Sequence, residues 1–266
     1  MIIKTVGPSA DWMQEVIYSM RNPKNSWDKM DTWATNNNKL LGRIQDYNDP
    51  RGQNIRKGIG NADFNLMRLL INNPCERKFL REIPVMFRLK APMLWWKEAD
   101  TYKIGTVRNS CSTMHKITSK EFTKDDFTNS HIKSKDGWLL FEDMIYHLNN
   151  LRNRYLVLNE ELKEYASVEQ PKNKEYHEYR KEQTIKERAE VWRELIDCLG
   201  SNYLQQADLM MNLETFLQIC IWRSNHKLEE WRTFVTEGTD AVNKYCLFTE
   251  TGADNDWAHL TEGVKN

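Results

Sequence analysis

The alternation of apolar and polar residues predicts a strand in the first half of the chain. Val85, Phe87 and Leu89 alternate with polar neighbours, so Ile83 to Leu94 is expected to form one long strand or a pair of strands, with these three side chains on one face. Pro92 has no N–H to donate to a neighbouring strand. It is therefore expected where the strand leaves the sheet or at a sheet edge.

Apolar residues spaced by three and four predict helices over much of the remaining chain. Glu175 to Glu190 carries many charges of both signs, and this face is expected to lie in solvent rather than to bind a ligand. Gly200-Ser201-Asn202 is typical of a helix end. The predicted helices are Trp12 to Met20, Ala62 to Leu70, Trp138 to Ala166, Glu175 to Leu199 and Leu204 to Trp222.

Composition limits the classes of function. The chain has 266 residues, of which 40% are hydrophobic, so it is long enough for one large domain or two small ones. Lys plus Arg equals Asp plus Glu at 38 each, so no net charge draws the chain to nucleic acid or to an anionic membrane. Apolar stretches are too short to span a membrane, and Met1 to Gly7 does not resemble a secretory signal. A cytoplasmic location is expected.

The spacing of the five cysteines and six histidines indicates no metal site. No two cysteines form a CxxC pair, and no histidines form HExxH or HxH. The cysteines, including Cys246, are therefore expected to be reduced thiols, and no bound metal is expected.

Residues 109–115 read NSCSTMH, an unusually polar stretch after an apolar segment that contains Trp95 and Trp96. Its hydroxyls and successive N–H groups suit an anion nest, but they are equally suited to capping a helix that begins near Thr113. The two tryptophans either fill the core or, as neighbours on a strand, divide between the core and a wall on which a flat ring stacks.

The helix predicted after Gly200 has a polar residue at each end of one face. Asn212, Phe216, Ile219 and Arg223 are spaced by 4, 3 and 4 residues. At about 1.5 Å of rise per residue, Asn212 and Arg223 lie roughly 16 Å apart, which is the reach of an extended dinucleotide. The same pattern also fits an amphipathic core helix whose polar ends emerge into solvent.

Four segments, in order, resemble the flavin-dependent thymidylate synthases. Residues 73–77 read Asn-Pro-Cys-Glu-Arg where the family has Thr-Pro-x-Glu-His, and residues 87–92 resemble the strand before the family signature. Residues 109–115 resemble the Asn-Glu-x-Ser-x-Arg-Tyr end of that signature. Residues 199–223 resemble a later segment of the family, Leu-Pro-x(3)-Tyr followed by Asn-x(10)-Arg. The order of the segments and the spacing from Asn212 to Arg223 carry the resemblance.

The resemblance implies an α+β fold, in which a small mixed or antiparallel sheet packs with long helices. It suggests one domain over residues 1–266 with a charged helical insertion around 138–198. It also implies FAD, methylenetetrahydrofolate and NADPH as cofactors, a pyrimidine deoxynucleoside monophosphate as substrate, and a homo-oligomer, by resemblance a tetramer. A modified-base pathway of a virus would suit so divergent a relative, in which case the location is the host cytoplasm.

The resemblance also implies roles for particular residues. Glu76 and Asn212 are expected to contact the flavin, Ser112 to hold the nucleotide phosphate, and Arg223 to read the pyrimidine as the catalytic arginine. Independently of the resemblance, Cys111 is a second catalytic candidate because it lies among hydroxyls near a predicted helix start, as a nucleophile toward C6 of the base or else as an inert thiol. The further site residues expected are Lys103, Asn109 and Gln218 on the cofactor, and Ser110, Thr113 and His115 on the substrate.

The chain departs from the family pattern at charged positions. The family's Arg-His-Arg falls on Thr101-Tyr102-Lys103, its preceding Gln is Glu98, and the Arg of its signature is Met114. Two residues after Asn212, where the family often has an arginine, the chain has Glu214. Because methionine cannot bind a phosphate, hydroxyls and backbone N–H groups would have to hold it, with Lys103, Arg108 or His115 adding charge.

Two functions fit these observations. One is flavin- and folate-dependent transfer of a one-carbon unit, as methyl or hydroxymethyl, to C5 of a uracil or cytosine deoxynucleotide. The alternative is a non-catalytic nucleotide-binding or interaction module that keeps the fold. Loss of the Arg-His-Arg element favours the module. Retention of Glu76, Asn109, Ser112, Asn212 and Arg223 in distant segments favours the enzyme.

Overall fold

The structure, a computed structural model, describes residues 1–42, 58–169, 171–245 and 257–264, so Cys246 lies outside the described residues. These residues form two compact units. The first contains Met1–Ala91, Trp95–Ser110 and Gln206–Asn266, and the second contains Pro92–Leu94 and Cys111–Gln205. Both long helices of the predicted insertion belong to the second unit, and the single domain stays a prediction. No helix within the described ranges is both long and apolar enough to cross a membrane.

The first unit is built on a four-stranded sheet with the strand order β1-β4-β6-β5. The pairs β1–β4 and β5–β6 are antiparallel, with Val6 opposite Met86 and Asn109 opposite Asp208. A separate two-stranded sheet pairs β2 with β3. The strands are β1 Ile2–Val6, β2 Thr32–Ala34, β3 Leu40–Gly42, β4 Pro84–Pro92, β5 Thr106–Ser110 and β6 Leu204–Asn212.

Helices cover most of the other described residues. Those predicted near residues 12, 62, 138 and 175 are present, and in the first three of them buried apolar residues recur at helical spacing. The helices are α1 Ala10–Met20, α2 Asn61–Ile71, α3 Met93–Ala99, α4 Thr113–Lys116, α5 Lys135–Ser167, α6 Lys174–Asp197, α7 Leu213–Arg223, α8 Glu229–Tyr245 and α9 Trp257–Thr261.

The helix predicted from Leu204 to Trp222 is wrong in its first half. Residues up to Asn212 form β6, and α7 begins at Leu213. Along β6 the buried positions alternate with less buried ones, which is the period of a strand. The apolar residues there also fit a spacing of three to four, so the sequence pattern alone was ambiguous.

The strand predicted from Ile83 ends at Pro92, as expected for a proline, and Met93 begins α3. Trp95 and Trp96 therefore lie on a helix, and both side chains are fully buried. Of the two alternatives, core filling is confirmed, and a division between the core and a ligand wall on a strand is wrong. The indole of Trp95 instead packs against Trp231 at a centroid distance of 4.7 Å.

A buried ion pair fixes one side of the first unit. Nε of Arg21 donates to Oδ1 of Asp63 at 2.5 Å, and both side chains are almost completely buried. Asp63 also accepts a hydrogen bond from the backbone N–H of Asp31. The carboxylate of Asp31 accepts the N–H groups of Ala62 and Asp63 and so caps the start of α2.

The second unit is formed mainly by α5 and α6. Its core contains Phe141, Leu148 and Leu151 from α5 and Leu195 from α6, together with Phe127. The remaining faces of both helices carry ion pairs exposed to solvent, such as those of Arg154 with Glu187 and of Arg193 with Asp197. The charged face predicted from the sequence is therefore a solvent-exposed face.

Candidate functional site

Arg223, at the end of α7, is held in place by two neighbours from the α3 region. Its Nε donates to the hydroxyl of Tyr102 at 2.8 Å, and its Nη1 donates to Oε2 of Glu98 at 3.1 Å. The guanidinium also lies over the ring of Trp231, 4.9 Å from the centroid. These contacts fix the side chain, which is 21% exposed and so can still be reached from solvent.

Glu98 is the hub of this cluster. Its Oε2 accepts from Nε1 of Trp231 at 2.9 Å as well as from Arg223, and Nε2 of His226 lies 3.6 Å away. Trp231 is buried, so this hydrogen bond satisfies its indole N–H inside the core. Glu98 and Tyr102 were noted in the sequence only as departures from the family. The signal in the sequence for a contact between them was that both positions depart from the family pattern.

The cluster has unused binding capacity on its open side. Within the described chain, the hydrogen bonds of Arg223 run from Nε and Nη1, which leaves Nη2. Beside it, Trp222 stacks on Tyr102 at a centroid distance of 6.4 Å, and the Trp222 side chain is half exposed. A fixed guanidinium next to an exposed aromatic ring suits a flat ligand with a carbonyl edge.

Asn212 caps α7 and fixes the loop before β5. Its Oδ1 accepts the N–H of Thr215 at 2.9 Å, and its own N–H donates to the carbonyl of Gly105 at 3.2 Å. Gly105 has a φ of +69°, and a Cβ at this residue would come 2.2 Å from Nδ2 of Asn212. Only glycine suits this position. Lys103 is exposed in the same loop, and contact of either Lys103 or Asn212 with a flavin stays a prediction.

A second charged cluster lies beside Glu76. The carboxylate of Glu214 is buried in the first turn of α7, where it accepts from Nε of Arg77 at 3.3 Å and from Arg81. Nη1 of Arg77 is buried and has no hydrogen-bond partner in the described chain. Glu76 itself is exposed. Sequence reasoning missed this cluster because Arg77 and Glu214 are 137 residues apart.

The pKa of Glu214 shows that the two arginines stabilise its charged form. Burial raises the pKa, but hydrogen bonds from Arg81 and Arg77 outweigh burial and hold it below the ordinary value of 4.5. A carboxylate with a lowered pKa stabilises the fold above its ordinary pKa. That contribution disappears as the pH falls from about 4.5 through the lowered value.

Glu214→Gln should therefore destabilise the protein at neutral pH by roughly 1.5–3 kcal/mol, the size of a hydrogen bond to a charged group. The difference from the wild type should shrink below about pH 4.5. Urea unfolding at a series of pH values measures both effects. Glu15→Gln, at an exposed position of α1, is the matched control. A difference that is constant with pH would contradict the assignment.

In the second unit, the polar stretch forms a helix cap. The Oγ of Ser112 accepts the N–H of His115 at 3.2 Å, and α4 starts at Thr113, so the capping interpretation is confirmed. Nε2 of the buried Gln205 donates to the carbonyl of Cys111 and to Oγ1 of Thr113, both at 3.0 Å. Gln205 therefore fixes this turn, although nothing in the sequence pattern singled it out.

The other predicted site residues are exposed or partly exposed. The contacts described within each unit do not bring them together into one cluster. Cys111, Met114 and His115 are exposed in the second unit. In the first unit, the exposed residues are Asn109 and Ser110 on β5, and Gln218 is half-buried on α7. Phosphate binding and a nucleophilic Cys111 stay predictions.

Comparison with known proteins gives matches by structure alone. No family model and no curated protein matches the sequence. Two crystal structures of the flavin-dependent thymidylate synthase ThyX from Helicobacter pylori, complexed with FAD and dUMP, match with TM-scores of 0.53 and 0.54 at 12% identity. In both, the alignment covers 90% of this chain and 93% of the other.

A UMP/dUMP methylase, PolB from Streptomyces cacaoi, matches over 70% of this chain and 78% of its own, with 10% identity and a TM-score of 0.42. The two ThyX matches show that the chain has the fold of the flavin-dependent thymidylate synthases. The α+β class, with a small sheet and long helices, is confirmed, and the family resemblance in the sequence is confirmed at the level of the fold.

Proposed function

We propose that the protein is a flavin- and folate-dependent transferase that adds a one-carbon unit to C5 of a pyrimidine deoxynucleoside monophosphate. The observation that carries the proposal is the cluster around Arg223. Its guanidinium is fixed by Glu98 and Tyr102, keeps Nη2 for a ligand, and stands beside the exposed ring of Trp222. The family fold and the Helicobacter pylori enzymes that bind FAD and dUMP support the same substrate class.

The residues beside Glu76 fit a flavin dinucleotide. Arg77 and Arg81 carry two positive charges against the single negative charge of Glu214, and Nη1 of Arg77 is a buried donor without a partner in the described chain. The pyrophosphate of FAD is an anion that such a donor suits. Glu76, Lys103, Asn109, Asn212 and Gln218 would complete the cofactor contacts. When bound, a reduced flavin supplies the hydride that turns a transferred methylene into methyl, with NADPH as the external reductant.

The chain's own contribution is to bind and orient the substrate. Arg223 would hold the edge of the base with its free Nη2, since Glu98 and Tyr102 prevent it from changing rotamer. Ser112, with Ser110, Thr113 and His115, would hold the phosphate through hydroxyl and backbone donors. Cys111 is proposed as a nucleophile only for a product that requires addition at C6. A homotetramer and a cytoplasmic location belong to the same proposal.

The test begins with the absorption spectrum of the purified protein. A flavin band, or its appearance after FAD is added and unbound FAD removed, is the expected result. The loaded protein is then incubated with methylenetetrahydrofolate, NADPH and either dUMP or dCMP, and the nucleotide products are identified by mass spectrometry. A protein that binds nucleotide but never flavin would instead be the non-catalytic module.

Glu98→Gln tests which base is read. Its carboxylate accepts hydrogen bonds and donates none, so it favours a base edge that carries an amino group, whereas glutamine offers both a donor and an acceptor. The variant should shift the ratio of affinities toward dUMP and away from dCMP. Calorimetric titration with both nucleotides measures the ratio, with Glu15→Gln as the control. An unchanged ratio would show that Glu98 does not face the base.

A further inference from the structure

Three potential metal ligands meet on the surface of the second unit. His147 lies on α5, Glu194 lies on α6, and Cys198 is the residue that ends α6. One ligand atom from each residue lies within 4.8 Å of the other two. Nε2 of His147 and Oε1 of Glu194 are 3.3 Å apart. None of these residues belongs to the proposed nucleotide site.

The backbone around the cluster is fixed by the core of the second unit. Glu194 and Cys198 are four residues apart and so share one face of α6, beside the buried Leu195. His147 precedes Leu148, which is buried in the same core. The ligand atoms are thus carried by packed helices, which position a site better than loops do. The three side chains are themselves exposed, so an ion can reach them from solvent.

We propose that His147, Glu194 and Cys198 bind a borderline transition-metal cation of the Zn²⁺ type. An imidazole nitrogen, a carboxylate oxygen and a thiolate sulfur are the three ligand types that Zn²⁺ uses, whereas Ca²⁺ and Mg²⁺ require oxygen ligands. Zinc bond lengths of about 2.0–2.3 Å place tetrahedral ligands roughly 3.3–3.8 Å apart. The ligand atoms lie within 4.8 Å of one another, and small rotations of the exposed side chains bring these distances into that range.

The site has three protein ligands, so water or an outside ligand fills the fourth position of the ion. Bound there, the cation joins α5 to the end of α6 and stabilises the second unit by linkage, because the ligands come together only in the folded chain. No spacing of residues in the sequence indicated this site. His147 and Glu194 are far apart in the chain, and the prediction of no metal site rested on short-range spacing.

The proposal is tested by titrating the purified, metal-free full chain with Co²⁺ and then displacing it with Zn²⁺. Cobalt bound to a thiolate gives a charge-transfer band, and four-coordinate cobalt gives strong visible bands. One equivalent with both signals is expected, together with a melting temperature that rises with Zn²⁺ concentration. Flavin and nucleotide are absent from this assay, so its outcome does not depend on the proposed enzyme.

Variants locate the site. His147→Gln, Glu194→Gln and Cys198→Ser should each weaken binding by at least the roughly 10- to 100-fold that loss of an outer-shell partner costs. Cys198→Ser should also remove the charge-transfer band. The controls are Cys75→Ser, an exposed cysteine in the first unit, and Glu190→Gln, an exposed carboxylate one turn before Glu194. Both should bind as the wild type does.

Two results would overturn the proposal. One is the absence of saturable cobalt binding to the wild type while its circular dichroism shows a folded chain. The other is a charge-transfer band that survives in Cys198→Ser, which would place the metal at another cysteine. Because all three ligands are exposed, their substitutions are not expected to unfold the chain, and the thermal melt of each metal-free variant checks this.

Discussion

Arg223→Ala should weaken binding of the pyrimidine nucleotide by roughly 10- to 150-fold, the range expected when one hydrogen bond to a charged group is lost. The effect is large because Glu98, Tyr102 and Trp231 already hold the guanidinium in place, so binding does not have to order it. Calorimetric titration with dUMP and dCMP measures the loss.

The fold should survive this change. Glu98 loses its ion pair, but it is a third exposed and keeps the hydrogen bond from Trp231, so its remaining charge stays hydrated. Arg68→Ala, which removes an exposed arginine of α2, is the control and should bind nucleotide normally. Unaltered affinity in a folded Arg223→Ala protein would discredit the site carried over from the family.

Asp63→Asn should cause the largest loss of stability, about 3–5 kcal/mol, because it removes the carboxylate that forms the ion pair with the buried Arg21. At the scale of this chain that corresponds to a melting temperature lower by roughly 6–20 °C. Thermal and urea unfolding measure it. Asp11→Asn, at an exposed position in α1, is the control and should stay within about 0.5 kcal/mol of the wild type.

The stability of an Arg21 variant and that of an Asp63 variant should depend differently on pH. Burial raises the pKa of Asp63, and the hydrogen bond from Arg21 opposes that rise. In Arg21→Met the pKa rises further, so the orphaned carboxyl takes up a proton as the pH falls toward its ordinary 3.8, and stability relative to the wild type recovers. Asp63→Asn should show no recovery, because arginine keeps its charge at any such pH. Parallel recovery in both variants would contradict a buried ion pair.

Much of the fold followed from periodicity. Helices α1, α2 and α5 lie where apolar residues recur at three and four, and β4 lies where they alternate. Helix α6 lies where a highly charged stretch was predicted to be a helix with a solvent-exposed face. The errors fall where two periods fit the same residues, as in β6, or where a proline changes the element, as between Pro92 and Trp95. A local pattern predicts the type of an element only when a single period, that of a helix or that of a strand, fits its residues.

The site was predictable only in part, and for a different reason. Arg223 and Asn212 were found because the interval between them is preserved within a single segment. Glu98 and Tyr102 carried no pattern of their own, since contact with Arg223 crosses more than a hundred residues of chain. Long-range partners of this kind depend on the tertiary fold, which no local window contains.

The cluster of Arg77, Arg81 and Glu214 has a consequence for how the start of α7 tolerates substitution. Two arginines from the segment before β4 donate to one carboxylate, and Arg81 is more than half exposed whereas Arg77 is buried. Loss of either arginine leaves Glu214 paired with the other, so the ion pair is redundant on its cationic side. Loss of the carboxylate instead leaves two positive charges close together and the buried Arg77 unmatched. Substitution at this junction is therefore expected to be better tolerated at either arginine than at the glutamate.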